Sequence, residues 1–176
     1  MHSFENESDF LQSLGMVAEV KQFDKFTIPR VAQLSQRSNQ FNLRTVRYTE
    51  EGIAQISSDR GYYGVSLSLK DKFGDHGLIG IIILKKEDES TLFIDSWIMS
   101  CRVLKRGMEH FTFNAIMEYA KAGNFSRVAG EYLPTKKNGM VKDHYAGLGF
   151  ELIGDKWIFE VGKYIKKATF ITGTNE

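Results

Sequence analysis

Three side chains in this sequence could move a proton or carry a group: Tyr145, Glu131 and Cys101. Tyr145 lies in the stretch Asn138-Gly-Met-Val-Lys-Asp-His-Tyr145-Ala-Gly-Leu-Gly-Phe150. At about 3.6 residues per turn, Met140, Val141, His144, Tyr145 and Leu148 share one face of a helix over residues 139–148, which aims the phenol at the surface beneath it. A phenol of ordinary pKa, about 10, is protonated at neutral pH and can donate; a core tyrosine with a satisfied hydroxyl is the plain alternative. Asn138 can cap that helix, and Gly149 suits the left-handed residue just past its end. Glu131 interrupts an apolar strand expected over Val128 to Leu133. There a carboxylate can accept a proton from a cleft, or simply pair with a nearby base. Cys101 is the only cysteine. Its neighbour Arg102 and the helix start that follows both favour a thiolate nucleophile, against the competing reading of a small buried hydrophobe.

Other residues define places for a ligand. A long helix is expected over Met108 to Ala122, and its free amino-terminal amides, with Arg102, Lys105 and Arg106, make a local anion site. Asp95 and Trp97 share a strand face and either line a pocket or pack in the core. Asn39, Gln40, Asn42 and Arg44 fall in an unpatterned, amide-rich loop able to bond donors and acceptors alike, or merely to face solvent. His144 points about 100° from Tyr145 and is expected at an edge. Lys136, Lys137, Lys142, Lys163, Lys166 and Lys167 either dock an acidic partner or form a solvated face.

These groups need a scaffold, and the pattern supplies one. The 176 residues, 42% hydrophobic and 12% aromatic, suffice for one domain with a core. The 23 Lys and Arg nearly balance 22 Asp and Glu, which excludes a general field for nucleic acid or an anionic membrane. No apolar run approaches the ~20 residues of a membrane span, and the amino terminus lacks the pattern of a secretory signal, so a cytoplasmic setting is expected. One cysteine and four scattered histidines give no metal-ligand spacing, and no metal is expected. The chain reads as a Ser8-capped helix to Leu14, a strand over Met16 to Phe23, a Thr27-capped helix to Arg37 and a helix from Thr49 to about Ser57. A strand at Tyr63 to Leu69 follows, joined through Phe73-Gly74-Asp75 to an apolar strand at Leu78 to Leu84. Leu92 to Cys101 pairs antiparallel with the latter. Phe150 to Ile153 and Trp157 to Val161 end the sheet, and residues 169–176 form a tail expected to be loose beyond Phe170.

This order, strands, a strand-loop-helix near Arg102, a strand, the Asn138 to Phe150 unit and a terminal hairpin, resembles the GNAT (N-acetyltransferase) fold: α/β, with a central mixed, mostly antiparallel sheet flanked by helices. More closely, Asn39-Gln-Phe-Asn42, Ile94-Asp-Ser-Trp-Ile-Met-Ser-Cys-Arg-Val103, Gly130-Glu-Tyr-Leu-Pro-Thr135 and Asn138 to Tyr145 resemble the carboxy-terminal domain of FkbH-like proteins, over nearly the whole chain. The resemblance implies residues 16–168 as an acyltransferase domain handling an acyl, possibly glyceryl, thioester on coenzyme A or on the phosphopantetheine of an acyl carrier protein. It also implies residues 1–15 as a linker, with Phe4 to Met16 a connecting helix, from a haloacid-dehalogenase-like domain outside this sequence. By the same resemblance, Met99, Ser100, Arg102, Val103, Lys105, Arg106, Gly107, Met108 and Asn138 contact the pantetheine or its phosphates. Asn39, Gln40, Asn42, Asp95 and Trp97 meet the acyl group or acceptor. Strand amides near Met99 to Cys101 stabilise an oxyanion, Glu131 or water accepts a proton, and Tyr145 protonates the leaving sulfur. The phosphate loop departs from the family pattern: Leu104-Lys-Arg-Gly107-Met-Glu109 keeps only the middle glycine. A Glu109 carboxylate ~5 Å from a phosphate would cost about 3 kcal/mol, more than the helix dipole returns, so Glu109 is expected to turn away or pair with a base.

Overall fold

The computed structural model describes residues 6–174. The elements run α1 (Glu7–Ser13), β1 (Val17–Gln22), α2 (Ile28–Arg37), α3 (Glu50–Ser58), β2 (Tyr62–Asp71), β3 (Gly74–Lys86), β4 (Thr91–Met99), α4 (Met108–Ala122), β5 (Arg127–Gly130), α5 (His144–Leu148), β6 (Glu151–Ile153), β7 (Lys156–Glu160) and β8 (Thr172–Gly173). The strands form one mixed sheet in the order β6-β7-β5-β4-β3-β2-β1-β8. All neighbours are antiparallel except β4 with β5 and β1 with β8.

Both faces are covered because the central strands are apolar on both. Ile81, Ile83 and Ile98 pack with Val31, Leu34, Ile53 and Ile56 of α2 and α3. Ile82, Leu84, Trp97 and Met99 point the other way, to Met108, Phe113 and Met117 of α4 and Tyr145 and Leu148 of α5. This two-sided burial is why Leu78 to Leu84 shows no alternation.

Two features of the sheet place the site. Ile83 pairs with Ser96 but Leu84 with Ile94, so Asp95 is an extra residue in β4, a bulge that bends the strand and increases its twist. In addition, β4 pairs with β5 only from Thr91↔Arg127 to Phe93↔Ala129. Past Phe93 the two parallel strands separate into a wedge, with β4 continuing to Met99 along one side and the chain after Gly130 along the other.

Several local expectations are revised. Asn6, not Ser8, caps α1, accepting from the Asp9 amide at 2.8 Å. Thr27 makes no side-chain cap; its hydroxyl accepts from the Asp24 amide, while the Asp24 carboxylate takes the Phe26 and Thr27 amides. The single helix expected at 139–148 is a 3-10 turn, Gly139–Val141, followed by the short α5, and this break leaves Met140 exposed rather than on the inner face. Gly149 is left-handed at φ 99°, the conformation that ends α5 and launches Phe150 into the sheet. The supposed loose tail returns: Thr172 and Thr174 donate to Met16 and Ala18, and Ile171 is buried. The start of the expected connecting helix, residues 1–5, and the last two residues of the tail lie outside the described residues.

Candidate functional site

Tyr145 stands where the wedge opens. Its ring lies directly on Gly130, the last residue of β5: a Cβ there would collide with the ring and come within 2.8 Å of the hydroxyl. Gly130→Ala is therefore expected to cost about 1–3 kcal/mol, read as a lower denaturant midpoint. An unchanged midpoint would show that the ring is not seated there. The phenol is 1% exposed, its hydroxyl has no hydrogen-bond partner among the described residues, and burial raises its pKa.

It is not isolated in this. Among the described residues, four buried side-chain polar atoms lack a partner: Tyr145 Oη, His144 Nε2, Trp97 Nε1 and Thr45 Oγ1. Three of them belong to one ring cluster. Trp97 meets His144 edge to face at 4.3 Å between centroids and Tyr145 at 6.3 Å, and Phe41 closes over His144 at 5.1 Å. Burial, with a smaller repulsion from His110, pushes the His144 pKa down to about 3, so the ring is neutral at pH 7. His144 is half-buried at the edge of this cluster, as expected, with its Nε2 facing inward.

The wedge is closed from one side by residues 41–44. Phe41 O accepts from the Met99 amide at 3.2 Å, Asn42 bridges Ile98 in antiparallel fashion, and Leu43 O accepts from the Leu133 amide at 2.9 Å. Arg44 sits in the fork, donating to the Asp95 carbonyl at 3.0 Å and carboxylate at 3.3 Å and to Glu131 at 3.0 Å, with its guanidinium over Phe93. Lys156 reaches the other Glu131 oxygen at 2.6 Å, and Tyr48 donates to Asp95 at 2.6 Å.

The candidate base is accordingly an ion-paired group. Lys156 first, then Arg44, holds the Glu131 carboxyl below its ordinary value of 4.5 against the opposing effect of burial. A lowered folded pKa means that the unfolded chain binds more protons on acidification, so this pair stabilises above pH 4.5 and the benefit is lost as pH falls through the lowered value. Glu131→Gln should remove that part of the acid sensitivity, measured as unfolding free energy between pH 5 and about 2. An undiminished slope would show that Glu131 is unpaired in solution.

Asn138 does not cap a helix. Fully buried, it donates to Asn42 O and Leu133 O at 3.0 Å each and accepts from the Thr135 amide at 2.7 Å, tying the two sides of the wedge together. Asn42 is buried and bonds Ser38 O and the Thr45 amide; Asn39 accepts from Arg47. Asp95, Trp97, Met99, Asn42, Glu131, Asn138 and Tyr145 are therefore gathered around the wedge.

The second group of candidates lies beyond the end of β4. Cys101 is exposed and its Sγ contacts Gln40 Oε1 at 3.1 Å. Ser100 accepts from the Arg102 amide, and Arg102 reaches toward His76 O at 3.4 Å. Arg106 is committed to the buried Asp71 carboxylate at 2.9 Å, which draws it away from the start of α4. Lys105 is left-handed at φ 66°, Gly107 caps α4, and Val103 and Met108 are core residues able to offer only backbone. The strand amides expected to face an oxyanion are also engaged: Met99 N with Phe41 O, Ser100 N with Ile79 O at 2.7 Å. Glu109 stays in the first turn of α4, half-buried.

Cavities among the described residues lie elsewhere. One of about 910 Å³ lies between α4 and the returning carboxy-terminal segment, lined by Val20, Phe111, Tyr119, Tyr164 and Ile171; one of about 490 Å³ lies beside Tyr63 and Phe125. Among the described residues, no group of three His, Cys, Asp or Glu is placed to hold a metal ion, and no helix is long and apolar enough to cross a membrane.

No protein-family model matches the chain, and no curated protein matches it in sequence. Solved structures do match it. The spermidine N-acetyltransferase of Vibrio cholerae, in complex with CoA and spermine, superposes with TM-score 0.64 at 12% identity, over 84% of this chain and 97% of that one. The ribosomal-protein-S18-alanine N-acetyltransferase of Escherichia coli gives 0.59 at 11%, over 81% and 91%, and Ard1 of Thermoplasma volcanium 0.60 at 15%, over 81% and 95%. An open eight-stranded sheet with helices on both faces, split between two parallel strands, is the fold of the GNAT N-acetyltransferases. At these identities the likeness establishes the fold.

Proposed function

We propose that this domain is an acyltransferase of the GNAT type acting on an acyl thioester, and, on its resemblance to FkbH-like proteins, that the thioester is a polar unit such as glyceryl on carrier-protein phosphopantetheine or coenzyme A. The observation that carries this reading is the Tyr145 phenol: buried, protonated, unpartnered and held at the mouth of a parallel-strand split. A group leaving as a thiolate needs one proton, and Tyr145 Oη is a donor that no other bond occupies. Trp97 Nε1 and His144 Nε2 are likewise unoccupied beside it, which matches an acyl group that brings its own hydroxyl or carbonyl oxygens better than a bare alkyl chain.

The fit to coenzyme A is partial. The sulfur end has its proton donor. The strand edges that would hold an extended tether are engaged by residues 41–44, and the loop before α4 has given Arg106 to Asp71. A carrier arm brings one phosphodiester rather than a nucleotide pyrophosphate and asks less of that loop. Glu131, held ionised between two cations, is placed to orient Arg44 rather than to take a proton itself, and a water is the better acceptor. The acceptor attacks the thioester carbon, the carbon–sulfur bond breaks, the acceptor's proton passes to water, sulfur leaves with the proton of Tyr145, and the phenolate takes a proton back from solvent to restore the donor.

A second reading, a non-catalytic module that docks an acyl carrier protein, is favoured by the same engaged edges. Calorimetry with coenzyme A and with holo and apo carrier, run beside a thioester-consumption assay, separates the two. Acyl transfer from acyl carrier or acyl-CoA supports the enzyme, whereas binding of holo carrier with no transfer supports the module.

A further inference from the structure

The geometry points to residues 41–44 as a strap that must leave the wedge before any substrate tether can enter it, with Arg44 as its latch; this rests on the acyltransferase reading. The strap is attached along both sides: Met99 N and Leu133 N donate to its carbonyls, and Asn138 Nδ2 donates to Asn42 O. These are the bonds an extended, carbonyl-bearing tether would make with the same two edges, so strap and tether compete for one set of donors.

The closed arrangement is not at rest. Thr45, next to the latch, is a β-branched residue in the left-handed region at φ 55°, and its buried hydroxyl is unpartnered. Phe41 closes over His144, whose Nε2 is unpartnered, and the unpartnered Trp97 Nε1 and Tyr145 Oη belong to the same ring cluster. Displacing the strap releases the Thr45 backbone and uncovers His144, against the cost of exposing Phe41 and Leu43. Phe41 and Leu43 seat it in the core, and Arg44 latches it through the Asp95 carbonyl and carboxylate and Glu131, with Lys156 and Tyr48 bracing those carboxylates. Arg44 is a positioning residue: it acts on the site through the strap.

The test uses the contact between Gln40 and Cys101, one residue before the strap. In Gln40→Cys, diamide oxidises the new thiol and Cys101 to one disulfide, taking up both hydrogens, and pins the strap to the end of β4. Oxidised protein is expected to lose binding of holo carrier and of acyl-CoA, and dithiothreitol to restore it; undiminished binding in the disulfide form overturns the proposal. Amide exchange on the free protein is the second reading. Arg44→Met should quicken exchange of the Met99 and Leu133 amides together by about a hundredfold while the β5–β7 amides keep their rates. Exchange of those two amides only with global unfolding, in wild type and variant alike, also overturns it. Should the wild-type chain, and reduced Gln40→Cys with it, bind and consume no thioester, the functional reading fails, and the exchange rates still decide the strap.

Discussion

Tyr145→Phe is expected to slow thioester turnover by about 10²- to 10³-fold with carrier binding unchanged, and to raise rather than lower thermal stability. Both effects come from one atom. The hydroxyl has no partner in the folded protein, so its removal takes away a buried unsatisfied group worth about 1 kcal/mol or more, while the ring keeps its seat on Gly130 and its contacts with Phe150 and Trp97. A structural tyrosine behaves in the opposite way: its loss weakens the fold and leaves chemistry to fall only in proportion. Parallel measurement of kcat, Kd and melting midpoint distinguishes them. A variant that is less stable and equally active would remove Tyr145 from the mechanism.

The second large effect is on acid stability, and it belongs to His144. Its folded pKa lies about 3, below its ordinary 6.5, so between these values the unfolded chain holds a proton that the folded chain refuses. Unfolding free energy therefore rises with pH through this window and is fully present near neutrality. On the order of 2 to 4 kcal/mol should be lost as pH falls from 6.5 toward 3, allowing for the partial exposure of the ring. His144→Leu should flatten the curve between pH 6.5 and 4, leaving the Glu131 contribution below 4.5 untouched. The windows overlap below pH 4.5, so denaturant titrations at pH 7 and 5 isolate the His144 loss, and the further loss from pH 5 to 3 in His144→Leu isolates that of Glu131. A His144→Leu curve parallel to wild type would mean that the ring is solvated and the Trp97 cluster loose.

Much of this architecture can be read from local pattern. The apolar run Leu78 to Leu84, the turn at Phe73-Gly74 and the αL glycine at 149 report short-range preferences that the fold then uses unchanged. Tyr145 and Val141 fall on the inner side as periodicity requires. What pattern could not show is long-range. The partners Arg44 and Glu131 are 87 residues apart, Asn138 and Asn42 96. Residues 38–42 carry no alternation because the strap pairs by carbonyls at two sites rather than as a regular strand, so an amide-rich loop is all the sequence displays. Asp95 likewise looks like one more strand residue until its bulge is seen. Asn138 has the residue type of a helix cap, yet its side chain is drawn to the Asn42 carbonyl that only the folded chain brings near, while Thr27 is drawn into a local turn with Asp24. Lys156 and Tyr48 have no motif to announce them; they matter because half-buried Glu131 and buried Asp95 beside Arg44 take further charge and hydrogen-bond partners.

The most direct test is a crystal structure with a non-hydrolysable acyl-pantetheine thioether at saturating concentration. The wedge account predicts the tether between β4 and the segment after β5, residues 41–44 displaced, and the thioether sulfur within hydrogen-bonding reach of Tyr145 Oη. An analogue bound elsewhere, with Phe41 O still on the Met99 amide and the phenol still sealed, would contradict it.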